Sequence, residues 1–124
     1  MTACLLAGGL VLTLAAPAFT LDWTHSVERT VWRETWVIEA GGLRLVEAAV
    51  KGSGAGMDPG PGAKAVGGWW VWAPDLAVPS VVLAASGVTG AGWRLCSGGR
   101  CHDLGAAAGE PMRLAPCGGT DGKG

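Results

Sequence analysis

Alternation of apolar and polar residues is the clearest pattern along this chain. Within residues 19–27, Phe19, Leu21 and Trp23 fall on one face of an extended chain, and threonines fall on the other. Successive side chains of a strand point to opposite faces, so this pattern predicts a half-buried strand. Residues 31–39 predict a second strand by the same argument. One side of that strand carries Trp32, Glu34, Trp36 and Ile38.

Glycine and proline divide much of the remaining chain into short pieces. Gly41-Gly42 predicts a hairpin turn before a third strand at residues 43–51. Twenty-two glycines and seven prolines argue against long helices. Further short strands are predicted at residues 69–73, 81–86, 93–96 and 101–104. About seven short strands predict an all-β fold, either a small antiparallel sandwich or a barrel.

The first eighteen residues differ in character from the rest of the chain. Residues 1–18 carry no charge, are mostly apolar and end in Ala16-Pro17-Ala18, which fits a signal-peptidase site. We therefore predict a signal peptide that is cleaved after Ala18, and a periplasmic or otherwise exported protein. The alternative is an uncleaved N-terminal membrane anchor. As a helix, residues 3–19 would extend about 25 Å, less than the roughly 30 Å of a hydrocarbon core.

The remainder has the size of one small domain. We predict a β-domain at residues 19–105 and a disordered tail at residues 106–124, which are mostly small and polar. Residues 52–68 form a long Gly-rich loop without apolar periodicity, and such loops are often functional. The net charge of −1 gives no indication of nucleic-acid binding. No further membrane span is expected after signal cleavage.

The predicted strand ends and the long loop carry the candidate binding residues. A turn would bring His25 and Glu28 to one pocket, where a carboxylate can orient an imidazole or share a metal with it. A mixed metal site of His25, Glu28, Glu34 and Asp58 would have no diagnostic spacing. Exposed glycine amides in the loop can receive an anion. We predict that both segments meet and form a recognition site, with a purely structural turn as the alternative. Its loop residues would be Gly54, Gly56, Met57 and Asp58.

The cysteines predict one disulfide. Cys96 and Cys101 flank a tight Ser-Gly-Gly-Arg turn between two predicted strands, and export favours their oxidation. Cys4 would leave with the signal peptide, so Cys117 would be unpaired or would bond another chain. The alternative use of Cys101 is covalent haem attachment, because His102 follows it. Haem motifs normally read C-x-x-C-H, and we therefore expect no cofactor.

Seven tryptophans accompany one phenylalanine and no tyrosine. Such large side chains can supply much of a small core. The alternative is a tryptophan platform that stacks on a sugar or a cationic ligand.

Three segments taken together resemble a known family. They are residues 24–34 (THSVERTVWRE), residues 51–59 (KGSGAGMDP) and the W-x-L-C strand that begins at Trp93. They resemble domain-of-unknown-function family 1850, whose members are small exported bacterial proteins, and the resemblance covers residues 19–104.

The resemblance implies a role in solute uptake, because genes of this family often lie beside those of TAXI-type TRAP transporters. It implies no catalytic residue. We therefore predict a non-catalytic binding or accessory protein whose partners are TRAP transporter subunits or the substrate-binding protein. The alternative is a small periplasmic enzyme or redox protein that uses His25 and Glu28, or a Cys96-Cys101-His102 site.

Overall fold

The computed structural model of the chain is all-β and antiparallel. It describes residues 3–24, 31–51, 62–83, 93–104 and 111–117. These contain twelve strands: β1 (Ala3–Ala7), β2 (Leu10–Leu14), β3 (Ala18–Thr24), β4 (Val31–Glu39), β5 (Gly42–Lys51), β6 (Lys64–Val66), β7 (Trp69–Trp72), β8 (Leu76–Val78), β9 (Val81–Leu83), β10 (Trp93–Ser97), β11 (Arg100–Leu104) and β12 (Met112–Pro116).

The strands form two sheets. One has four strands in the order β2-β1-β12-β9, and the other has eight, with the path β11-β10-β3-β4-β5-β7-β6. The remaining strand of the larger sheet, β8, pairs with β5 at Leu43–Leu45, whereas β7 pairs with the opposite end of β5, at Ala48–Lys51. The central strands β3, β4 and β5 are the longest of the larger sheet, and they position the candidate site.

The two sheets pack face to face around one apolar core. The four-stranded sheet contributes Leu5, Leu14 and Leu114, which are at most 3% exposed. The eight-stranded sheet contributes Phe19 and Leu21, among others. The face of this sheet that carries these two residues is called the inner face. Both sheets are open, so the fold is of the sandwich type, and the predicted alternative of a closed barrel is wrong.

Glycine sets the tight turns of two hairpins. Gly98 and Gly99 between β10 and β11 both have positive φ angles, of 58° and 82°. Gly67 and Gly68 between β6 and β7 repeat this geometry. Two consecutive positive φ angles are typical of the type I′ turn, whose twist matches that of the flanking strands.

The seven predicted strands are present within the described residues, and five further strands accompany them. Two of these, β6 and β8, have three residues each, and β6 lies in the predicted long loop. The predicted disordered tail contains one strand within its described residues, because Met112–Pro116 forms β12 between β1 and β9. In this strand Leu114 is buried and its neighbour Arg113 is exposed, so one face of the strand packs into the core.

The predicted signal peptide contains β1 and β2. Gly8-Gly9 connects these strands, which place Leu5, Ala7 and Leu14 in the core. Cleavage after Ala18 stays a prediction, and it would remove half of the four-stranded sheet.

Within the described residues, the structure contains two disulfides, of which the sequence predicted one. Cys96 and Cys101 form the predicted disulfide, across directly opposed positions of β10 and β11. In the full chain, Cys117 forms a disulfide with Cys4, and the prediction that Cys117 is unpaired or bonded to another chain applies to a chain cleaved after Ala18, for which it stays a prediction. The pairing follows from the adjacency of β1 and β12, since the Cys117 amide also donates to the Cys4 carbonyl at 3.1 Å.

Candidate functional site

The predicted recognition residues lie outside the described residues. These are His25, Glu28, Gly54, Gly56, Met57 and Asp58. The strand ends that flank them are described. Thr24 pairs with Val31, and Trp32 pairs with Val50, so β3 ends, β4 begins and β5 ends at one end of the sheet. The meeting of the two segments stays a prediction.

Tryptophans line the inner face at that same end of the sheet. Trp23 on β3 is directly opposite Trp32 on β4, and both share the face of buried Leu21. Trp93 on β10 occupies the adjacent position beyond Trp23, because its neighbour Arg94 pairs with Asp22. We call Trp23, Trp32, Trp72 and Trp93 the tryptophan row.

The rings of the tryptophan row contact one another in sequence across the sheet. The centroids of Trp93 and Trp23 are 4.5 Å apart, with planes tilted by 46°. Trp23 and Trp32 are nearly parallel at 6.1 Å. Trp32 then meets Trp72 edge to face at 6.3 Å, with an interplanar angle of 84°. Such offset and edge-to-face geometries suit the aromatic quadrupole, so the row is a packed aromatic layer.

Three of the four rings in this layer lie outside the main core, and all four are only partly buried. Trp93 packs against the core, but Trp23, Trp32 and Trp72 are not part of the buried cluster that joins the two sheets. Val50, which pairs with Trp32, is fully buried, whereas all four rings keep partial exposure. The row therefore covers apolar residues and also presents indole surface to solvent.

Glu34 is the carboxylate of this face. It lies two residues from Trp32 on β4 and pairs with Leu21 on one side and Ala48 on the other. The Trp36 indole Nε1–H donates to Glu34 Oε1 at 3.1 Å. Burial raises the pKa of Glu34 above its ordinary value, and the Trp36 hydrogen bond only partly offsets that effect.

The outer face of the same strands has a different character. Arg33 Nε donates to Asp22 Oδ1 at 3.1 Å, and the Arg33 guanidinium lies 4.7 Å from the ring centroid of Trp69. The Lys51 ammonium lies 5.9 Å from the same ring. Trp69 is thus already engaged by two cations, which distinguishes it from the tryptophan row.

The described residues bear on two of the alternative chemistries, haem attachment and metal binding. The Cys96 and Cys101 sulfurs are bonded to each other, so in this state neither is a thiol for haem attachment. Within residues 3–24, 31–51, 62–83, 93–104 and 111–117, no group of three or more His, Cys, Asp or Glu side chains has the arrangement of a metal site. No helix in this part of the chain is long and apolar enough to cross a membrane.

The sequence predicts which residues of β4 share a face, but not which residues of the neighbouring strands lie beside them. The alternation of β4 placed Trp32, Glu34 and Trp36 on one side, and the structure agrees. The role of Ala48 was not predicted. Its small side chain lies between Glu34 on β4 and Trp72 on β7, and only the strand register reveals that position.

Comparison with known proteins gives one match. The model of the family described as Domain of unknown function (DUF1850) matches residues 19–104. No curated protein and no solved structure matches the chain.

Proposed function

Because the chain belongs to the DUF1850 family, whose description names no activity, we propose a function from the geometry of its inner face. The protein is an exported, non-catalytic binding protein, and the tryptophan row is its binding surface. The observation that carries this proposal is a continuous layer of four partly exposed indole rings beside the partly buried Glu34.

Binding, rather than catalysis, is the use that such a layer favours. Indole rings offer large, rigid contact surfaces and one N–H donor, but no acid, base or nucleophile. Tryptophan is also among the residues that contribute most to binding energy when it lies centrally in an interface. Trp23 and Trp32 lie at the strand ends that flank residues 25–30, so His25 and Glu28 would extend the same surface.

Export is supported by the cysteines. The described residues contain the Cys4–Cys117 and Cys96–Cys101 disulfides. Structural disulfides persist in oxidising compartments and are rare in a reducing cytoplasm. The Cys96–Cys101 disulfide gives this support whether or not a signal peptidase cleaves after Ala18, whereas the Cys4–Cys117 disulfide requires the full chain.

The resemblance to the family supports a more specific role as an accessory of TRAP-type solute uptake. We propose that the partner is a TRAP transporter subunit or its substrate-binding protein. Either lies outside the cytoplasm at least in part, where this protein would meet it.

Affinity capture tests the proposal directly. The tagged protein is expressed in its source organism, crosslinked, purified and examined by mass spectrometry beside two variants. Trp72→Leu removes a ring of the row, and the matched control Trp69→Leu removes a ring from the outer face. We expect TRAP components with the wild type and the control, and their loss with Trp72→Leu at an unchanged fold. Equal capture by all three proteins, or capture without TRAP components, would contradict it.

A further inference from the structure

We propose that the inner face binds an organic cation of the alkylammonium class, at the corner between Trp32 and Trp72 beside Glu34. This inference rests on the proposed binding function and specifies the chemistry of its ligand. Three features carry it: the mutual angle of two rings, the position of one carboxylate and the scarcity of polar groups around it.

The angle between Trp32 and Trp72 gives the first feature. Their planes differ by 84° and their centroids are 6.3 Å apart, so the two rings meet edge to face and the corner lies beside that contact. An indole face attracts a cation within about 6 Å of its centroid, and tryptophan does so best among aromatic residues. Perpendicular aromatic walls are the arrangement by which proteins recognise quaternary ammonium groups.

Glu34 supplies the complementary charge. Glu34, Ala48 and Trp72 follow one another across β4, β5 and β7, so the Glu34 and Trp72 backbones are about 10 Å apart, or two strand spacings. The single methyl group of Ala48 lies between them. Trp32 lies two residues before Glu34 on β4 and on the same face of the sheet. Glu34, Trp32 and Trp72 are therefore neighbouring positions of the inner face, and the Glu34 carboxylate accepts the Trp36 indole N–H on the side away from Trp32.

The charge of Glu34 lacks a cationic partner among the described residues. The arginine ion pairs there lie elsewhere: Arg33 with Asp22, Arg44 with Glu39 and Asp75, and Arg94 with Asp103. None of the described inward side chains adjacent to Glu34 on β3 and β5 is titratable: they are Phe19, Leu21, Trp23, Leu45, Ala48 and Val50. A bound cation would supply the missing charge compensation.

A sugar fits this chemistry less well than an alkylammonium ion. Sugars stack on aromatic rings but also require hydrogen-bond partners for several hydroxyl groups. Around the corner, the described side chains offer one carboxylate, already receiving the Trp36 N–H, and indole N–H groups. A quaternary ammonium group needs no hydrogen bond and gains from both the rings and the charge.

Isothermal titration calorimetry of the purified full chain tests the proposal with three probes. Choline carries the cation, its uncharged carbon analogue has the same shape, and glucose represents sugars. We expect saturable binding of choline alone at pH 7. We also expect the affinity for choline to fall as the pH decreases through the raised pKa of Glu34, because protonation removes the charge.

Variants locate the site. Glu34→Gln keeps the shape of the side chain, and we expect about tenfold weaker choline binding without the pH dependence. Trp72→Phe keeps an aromatic wall of weaker cation affinity and should bind at an intermediate level. The matched control is Glu47→Gln, which removes an exposed charge from the outer face of β5 and should bind like the wild type.

The outcomes separate this inference from the accessory role. Equal binding of choline and its carbon analogue, or unchanged affinity in Glu34→Gln, would overturn the cation site. Binding of glucose instead of choline would overturn it too, while leaving the tryptophan row as a binding surface. Choline binding without capture of TRAP components would support the cation site and reject the accessory role.

Discussion

At the scale of single residues, Glu34 connects stability with function. Burying a carboxylate beside aromatic rings costs solvation, and the raised pKa of Glu34 reports that cost. A side chain chosen only for stability at this position would be apolar, as are Leu21 and Ala48 beside it. Binding sites commonly retain such destabilising groups because the ligand needs them.

The pH dependence of stability tests this view of Glu34. Its folded-state pKa is raised, so the folded protein binds the proton more readily than the unfolded chain. The contribution of Glu34 to stability therefore falls as the pH rises above about 4.5, the ordinary value, toward the folded-state pKa. We expect Glu34→Gln to melt at a higher temperature than the wild type at pH 7, with the difference vanishing well below pH 4. A lower melting temperature at pH 7 would contradict the prediction.

Gly42 is required by close contact rather than by its φ angle. A Cβ atom at this position would lie 2.6 Å from the Val78 carbonyl oxygen of β8. Gly42→Ala must therefore displace β8 from β5, and we expect a loss of about 1–3 kcal/mol in the free energy of unfolding. Gly9→Ala is the control, since no atom lies within 4 Å of the place that its methyl group would take, and it should change stability by less than about 0.5 kcal/mol. Urea denaturation measures both variants.

At the scale of strands, the sequence predicts those that alternate. In β3, inward Phe19, Leu21 and Trp23 alternate with outward polar residues, and a sheet with one buried face imposes that period. In β4 the inward residues follow the same period and are apolar except for Glu34. By contrast, β1 and β2 are apolar on both faces, with Val11 64% exposed, so their sequence is typical of a leader segment as well. The short strands β6 and β8 are too brief to show a period.

The candidate site was predictable only in part, because alternation gives the faces of one strand and not the register between two strands. Alternation within β4 correctly groups Trp32 with Glu34. The proximity of Trp72 depends on how β7 registers against β5, and a sequence pattern within one strand carries no information on that register. The Thr35/Trp36 irregularity in the β4–β5 pairing adds a shift that alternation alone does not predict.

The two disulfides should differ in their contribution to stability. Cys96 and Cys101 are five residues apart, whereas Cys4 and Cys117 are 113 apart. In the chain-entropy model, the shorter loop gives about 2 kcal/mol and the longer about 5 kcal/mol. We expect the Cys4→Ser/Cys117→Ser double variant to lose more stability than Cys96→Ser/Cys101→Ser in urea denaturation. Equal losses, or the reverse order, would contradict this expectation.

At the scale of the whole molecule, residues 3–18 contact both sheets. The Cys4–Cys117 disulfide joins β1 to β12 in the smaller sheet. In the larger sheet, the Ser97 hydroxyl donates to the Ala18 carbonyl at 2.7 Å, and the Ile38 amide donates to the Pro17 carbonyl at 3.0 Å. These contacts engage the predicted peptidase site itself, so the segment that resembles a leader also completes the sandwich.

The fate of this segment is therefore a prediction about the whole molecule. Without residues 1–18, β12 would lose its neighbour β1, and the core would lose buried Leu5 and Leu14. Because such losses typically cost about 2–5 kcal/mol for each large apolar side chain, we expect the predicted cleavage after Ala18 to leave a protein much less stable than the full chain. Peptide mapping of the protein from the periplasmic fraction, without reduction, tests the cleavage: recovery of a Cys4–Cys117 linked peptide would contradict it. The Cys96–Cys101 linkage serves as the internal control, since it forms in either case. A mature protein that begins at Phe19 and carries Cys117 as a free thiol would instead establish cleavage after Ala18.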